Sequence, residues 1–184
     1  VVMNMYLNRQ NQVMLVWDKQ GFITSNTAAT EADAKYNPFT LPQDYEPNHI
    51  VEDESNNYWV GTKSGLVKFN SSSKTLSYKG FNADNDPAIR QMENNIPVIG
   101  VHADQHKNIW TVSPEGTAYK IHSVNLITGK YIQWENKINA ATGNISFTPY
   151  GIIETTDNGM WITGDNILCK LNSADETVQY IPKT

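Results

Sequence analysis

A single cysteine, Cys169, leaves this 184-residue chain without an internal disulfide. Its fold must therefore rest on burial and hydrogen bonding. Long apolar runs are also missing. No stretch approaches the roughly 20 consecutive apolar residues of a membrane-spanning helix, so any tie to a membrane would come from parts outside this chain. Charge is sparse, at 18% of residues, and the net value is −5. That balance offers phosphate no basic face and excludes nucleic acid as a partner. No segment repeats apolar residues at a 3.6 spacing over three turns; residues 28–35 offer at most one helical turn with no apolar face. Nor does any Ser-His-Asp, Cys-His or paired-carboxylate arrangement stand out, so no catalytic residue and no cofactor is expected. The four histidines, His49, His102, His106 and His122, show no His-x-His spacing. Asp84-Asn85-Asp86 lacks the glycine at the sixth position of a calcium loop. No metal site is expected.

What the chain does have is hydrophobic residues at 39%, aromatics at 10% and a recurring phrase. The hydrophobic content supports one domain with a core of its own. Residues 50–69 hold the clearest copy of the phrase, running from Ile50-Val51-Glu52-Asp53 through Tyr58-Trp59-Val60-Gly61-Thr62 to Gly65-Leu66-Val67-Lys68-Phe69. Val101-His102-Ala103-Asp104 with Asn108-Ile109-Trp110 opens a second copy. Ile152-Ile153-Glu154 with Gly159-Met160-Trp161 opens a third. The tryptophans of the phrase lie at 59, 110 and 161, two steps of 51. A constant period of this size signals stacked copies of one small unit. A fainter copy precedes them: a shift of 44 brings Gly21 under Gly65, Leu15 under Trp59, Val16 under Val60 and Phe22 under Leu66.

Each copy reads as four short strands, with apolar and polar residues alternating between Asn, Asp, Ser and Gly turns. Such a unit is the blade of a β-propeller. The expected architecture is all-β, with about four four-stranded antiparallel blades at 5–45, 50–81, 98–135 and 151–182. One blade cannot bury both its faces, so stacking should bury the Trp, Tyr, Leu and Val layer between neighbours. Gly65 and Gly116 suit hairpin positions of positive φ, with Asn166 as their substitute in the last blade. Asp53 and Asp104, six residues before their Trp, are placed to accept backbone N–H groups in the first turn. Cys169 falls on an inward strand position, which predicts a buried, inert thiol.

The pattern Ile-x-Glu-Asp, Asn-x-Tyr-Trp-Val-Gly-Thr, Gly-Leu, then Phe-Asn resembles the two-component-regulator propeller repeat. Residues 50–78 carry the likeness best, 98–134 and 150–182 less well, and 5–45 faintly. The resemblance implies the periplasmic sensor domain of a hybrid histidine kinase of the Bacteroidetes type, which controls use of complex glycans. It implies a ligand-sensing module without catalysis, which signals to a domain outside this chain. The repeat defines a scaffold, so no functional residue transfers by motif. Sensors of that kind carry more repeats, so the resemblance leads us to expect a piece of a larger sensor; a small ring of four blades is the alternative. Exposed blade edges invite pairing with another copy, so a homodimer or an interaction scaffold is a second expectation. A glycan-active hydrolase or lyase is a third.

Three connectors are long: Thr24 to His49, Lys79 to Pro97 and Glu135 to Pro149. Each joins an outermost strand to the next innermost one, so all three should emerge on one face of the disc. Their aromatics and amides suit stacking and hydrogen bonding to a small molecule or oligosaccharide. The candidate ligand-binding residues are Tyr36, Phe39, Tyr45, Phe81, Arg90, Phe147 and Tyr150. His49 and His102, on the innermost strands, join them as lining of a central channel.

Overall fold

The computed structural model describes residues 2–17, 22–26, 35–37, 40–92, 95–157 and 159–182. Four antiparallel sheets follow one another along the chain, each pairing its strands in chain order. The first holds β1 (Val2–Leu7), β2 (Gln12–Trp17), β3 (Phe22–Asn26) and β4 (Lys35–Asn37). The second holds β5 (Pro47–Glu52), β6 (Tyr58–Thr62), β7 (Gly65–Asn70) and β8 (Thr75–Tyr78), with a short fifth strand, β9 (Phe81–Asn82). The third holds β10 (Gly100–Ala103), β11 (Asn108–Glu115), β12 (Ala118–Asn125) and β13 (Tyr131–Gln133). The fourth holds β14 (Pro149–Glu154), β15 (Met160–Gly164), β16 (Leu168–Asn172) and β17 (Thr177–Tyr180). The first strands β1, β5, β10 and β14 are successive neighbours about one axis. This is the propeller arrangement, with the sheets as blades.

Apolar alternation along each strand fills the gaps between blades. Blade two meets blade one through Ile50, Tyr58, Val60, Val67 and Phe69, against which Tyr6 packs. Its other face, with Val51, Trp59 and Leu66, meets Val101, Ile109 and Val124 of blade three. Trp110, Val112 and Ile121 then meet Met160, Ile162, Cys169 and Leu171 of blade four. Trp59 and Trp110 are 0% and 1% exposed. Burying each is worth roughly 4–6 kcal/mol of transfer free energy as an upper bound.

The first turn of blades two and three repeats atom for atom. Asp53 Oδ1 accepts the N–H groups of Ser55 (2.8 Å) and Asn57 (2.9 Å). Its Oδ2 accepts the indole N–H of Trp59 at 2.8 Å. Asp104 does the same for His106 (2.9 Å), Asn108 (2.7 Å) and the Trp110 indole (2.8 Å). The backbone bonds are those expected; the indole bond explains why an acid belongs six residues before each tryptophan. In blade four Thr155 stands at this position, and the Trp161 indole lacks that carboxylate. Trp161 is also only half-buried, and its neighbour Ile153 is 57% exposed. The expectation of a shielded indole therefore holds for two tryptophans and only in part for the third, because among the described residues no blade covers that face.

Three further expectations change. In blade one, β1 and β2 pair Tyr6 with Met14, as β5 and β6 pair Val51 with Trp59. Met14, not Leu15, holds the tryptophan position, because the first turn has the same length in both blades. Gly65 and Gly116 have φ of 132° and 60°, but Asn166 is not left-handed. Its turn closes through Asp165, whose Oδ1 accepts the N–H groups of Thr148 (2.7 Å) and Asn166 (3.0 Å). The connectors, finally, contain helices. α1 (Pro87–Gln91) buries Ala88 and Ile89 between blades two and three, and α2 (Glu135–Thr142) buries Ile138 between blades three and four. Both are too short to show a periodic stripe. Residues 28–34 lie outside the described residues.

Polar clamps complete the junctions between blades. Glu52 accepts the Arg9 N–H at 2.8 Å, and Glu154 accepts the Gln105 N–H at 3.1 Å. Ala103 holds the equivalent position in blade three, where a Lys107–Glu54 ion pair (3.1 Å) links the blades instead.

Candidate functional site at the axial mouth

The innermost strands begin irregularly. Register shifts between Pro47 and His49 and between Pro149 and Gly151 mark bulges at Asn48 and Tyr150. A bulge re-aims a side chain. Steps of 51 relate Asn48, Ile99 and Tyr150, so all three sit at the same entry position around the axis, on the connector face. Asn48 spends its amide across the junction, donating to Val98 O at 3.1 Å. Ile99 is partly exposed, and Tyr150 is 72% exposed.

The next position is His49, Gly100 and Gly151 in turn. His49 points at blade three, where its Nδ1 accepts the Val101 N–H at 3.3 Å. The ring proton therefore lies on Nε2. Burial is the main cause that holds the His49 pKa below its ordinary value, with His102 nearby adding to the effect. Gly100 places nothing equivalent between blades three and four. The result is a cavity of about 220 Å³ with Val101, Val112, Pro149 and Ile152 as walls. Glycines 100 and 151 widen it, and His49, Ile99 and Tyr150 line its edge. These groups offer apolar contact, an aromatic face and few polar atoms, which is the make-up of a binding site. Among the described residues the lining holds no carboxylate.

Of the residues singled out in the sequence, this mouth brings together His49 and Tyr150. His102 lies deeper in the junction between blades three and four, its Nε2 3.6 Å from Glu154 Oε2. Phe147 packs against the core between the same blades. Tyr45 and Phe81 flank Tyr78 at the rim of blade two, with ring centroids 5.2 and 5.7 Å from it. Arg90 projects from α1 and donates to Asn85 Oδ1 at 3.2 Å. Tyr36, on β4, pairs with Ile23 of β3; its side chain, like Phe39, lies outside the described residues. Among the described residues, two of the long connectors turn inward as wedges between blades. Asp84 and Asp86, weighed as calcium ligands, share the Lys68 ammonium at 3.1 and 2.9 Å. Ile99, Gly100, Gly151 and Ile152 were missed, although a step of 51 from Asn48 and His49 reaches the first three.

A larger cleft, of about 560 Å³, opens on the opposite face between blades three and four. Its amides are already engaged. Asn125 Oδ1 accepts the Ile127 and Thr128 N–H groups, and Asn125 Nδ2 donates to Asn108 Oδ1 at 3.0 Å. The axial cavity, with its exposed tyrosine, is the better candidate.

No family model matches the chain, and no curated protein matches it. Solved structures do. The extracellular domain of the proposed hybrid two component system BT4673 from B. thetaiotaomicron aligns over 100% of this chain and 22% of its own, at 17% identity and a TM-score of 0.62. That of BT3049 from the same organism aligns over 97% and 23%, at 15% identity and a TM-score of 0.63. YCF48 bound to D1 peptide aligns over 100% and 51%, at 9% identity and a TM-score of 0.63. The chain spans less than a quarter of the two extracellular domains and about half of YCF48. At these identities the likeness establishes fold. Among the described residues no helix is long and apolar enough to cross a membrane. The chain carries the all-β, four-stranded blade architecture found in extracellular domains of hybrid two component systems.

Proposed function

We propose that this chain is a ligand-sensing blade module of an extracytoplasmic two-component sensor, placed in the periplasm. Its ligand is an oligosaccharide that enters at the axial mouth and stacks on Tyr150. Binding shifts the blades around the cavity and so signals to a domain outside this chain. The module itself performs no catalysis. The observation that carries this reading is the 72% exposure of Tyr150 beside an apolar cavity. An aromatic ring beside apolar walls is the usual platform for a sugar face. The test is a thermal-shift screen across plant and host glycans, repeated with Tyr150→Ala. A glycan that raises the melting temperature of the parent chain and not of the variant supports the proposal. No hit across the screen, or a hit indifferent to Tyr150→Ala, overturns it.

The open face of blade four favours a second reading. Ile153 and Trp161 occupy positions that the neighbouring blade covers at Val51 and Trp59. An apolar face of this kind supports assembly, with a second copy or with another blade-bearing protein. Light scattering on the chain decides: a strict monomer at all concentrations removes the homodimer.

A further inference from the structure

We infer that the axial cavity holds a neutral planar group with one hydrogen-bond acceptor, of the acetamido class, against the Ile152 N–H. This rests on the reading of the axial mouth as the ligand site. The argument starts from strand register. The Thr155 N–H donates to Gly159 O at 2.9 Å and closes the β14–β15 hairpin with a bonded pair. Bonded and non-bonded pairs alternate outward from there. Ile153 and Trp161 are therefore bonded across the strands, and Ile152 and Ile162 are not. The Ile152 N–H points away from β15, and β14 is the edge strand of its sheet. It faces the cavity that Ile152 lines.

The same count applies one blade earlier. The bonded pair Asp104–Asn108 leaves Val101 and Thr111 non-bonded, so the Val101 N–H also faces the axis. There the protein supplies the acceptor itself, the Nδ1 of His49 at 3.3 Å. His49 is thus a template for what the next junction lacks: a flat, neutral ring bearing one acceptor, wedged between two blades. Gly100 holds the position from which an imidazole would reach Ile152. An occupant that displaces water from the Ile152 N–H must supply an acceptor in its place, because a desolvated N–H without one is costly. It must also be uncharged. Among the described residues no Lys or Arg lines the cavity, and a carboxylate there would be desolvated without a counter-charge. An acetamido group meets both conditions. Its carbonyl oxygen accepts from Ile152 while its methyl contacts Val112 and Pro149.

The experiment is an amide NMR titration of the whole chain with N-acetylglucosamine, glucose, glucuronate and N-methylacetamide. Saturable movement of the Ile152 amide with N-acetylglucosamine and N-methylacetamide, without movement for glucose or glucuronate, is the expected result. Gly100→His should weaken that response at least about tenfold by seating an imidazole in the cavity. A Cβ at Gly100 meets only Val112, at 3.5 and 3.6 Å, so the variant has room to fold. Gly151→Ala, whose Cβ meets nothing within 4 Å, is the second variant and should weaken the response by narrowing the cavity. An unmoved Ile152 amide, an equal response to glucuronate, or binding indifferent to both variants overturns the inference. The two readings fail separately. A glycan that binds through Tyr150 without moving Ile152 sinks only the acetamido seat. A shift with N-methylacetamide while no sugar binds keeps the seat and sinks the oligosaccharide.

Discussion

Replacing Asp104 by Ala should be among the most damaging single changes in the chain. The carboxylate is buried and accepts four bonds: from the N–H groups of His106 and Asn108, from Asn108 Nδ2 at 2.8 Å, and from the Trp110 indole at 2.8 Å. His106 is exposed, so water replaces the acceptor there. The Asn108 N–H and the Trp110 indole are buried and cannot be rehydrated without opening the blade. Each buried donor left unpaired costs about 1–3 kcal/mol, so the variant should lose about 4 kcal/mol. For a domain of this size that lowers the melting temperature by roughly 8–16 °C. Urea unfolding followed by tryptophan fluorescence measures the loss. Near-UV circular dichroism reports on the Trp110–Trp134 stack, whose centroids lie 5.2 Å apart. Asp104→Asn should cost nearly as much. Its one remaining oxygen serves the turn or the indole, and its amide hydrogens then face other donors. A loss under about 1 kcal/mol for Asp104→Ala would refute the claim that this acid anchors the indole.

The tryptophan period made three of the blades and their strand order readable, because a large apolar residue at fixed phase in each unit suits face-to-face stacking. The acid before Trp59 and Trp110 was also readable, since both residue and distance repeat. The slip at Leu15 arose where the repeat has drifted. Blade one keeps the turn length before β2 but has one residue more before β3, so the shift of 44 that fits Phe22 misplaces the preceding strand by one. The wedge helices were hidden by length: five and eight residues leave no room for a stripe. The candidate site was half visible. His49 and Tyr150 could be picked as polar and aromatic residues near inner strands. The cavity between them depends on what Gly100 lacks, and that shows only when 49, 100 and 151 are compared as one position.

Three further outcomes are expected. Gly61→Ala should cost about 1–3 kcal/mol, read as a lower urea midpoint, because a Cβ there would lie 2.7 Å from Val98 O and 2.9 Å from Val98 Cγ1; an unchanged midpoint would show that the blade two–three junction yields freely. Cys169 is fully buried and its thiol is pushed up to about 11 by burial. Iodoacetamide should therefore label the native chain at pH 7.5 at least roughly 100-fold more slowly than the urea-unfolded chain, and equal rates would contradict the packing. The last concerns His49, whose folded pKa is held below its unfolded value chiefly by burial. The unfolded chain then takes up the proton first as pH falls, so stability rises with pH across this window. The His49 contribution is complete above the unfolded value of roughly 6.5 and drains away as pH drops from there through the folded value. Once protonated, Nδ1 no longer accepts from Val101, and two donors face each other across the junction. His49→Gln removes the titration. The carboxylates are common to both chains, so the difference between their pH profiles isolates the histidine. Urea midpoints at pH 5 and pH 7.5 should therefore fall further in the parent chain than in His49→Gln, and parallel profiles would mean that His49 is not the neutral acceptor that ties blade two to blade three.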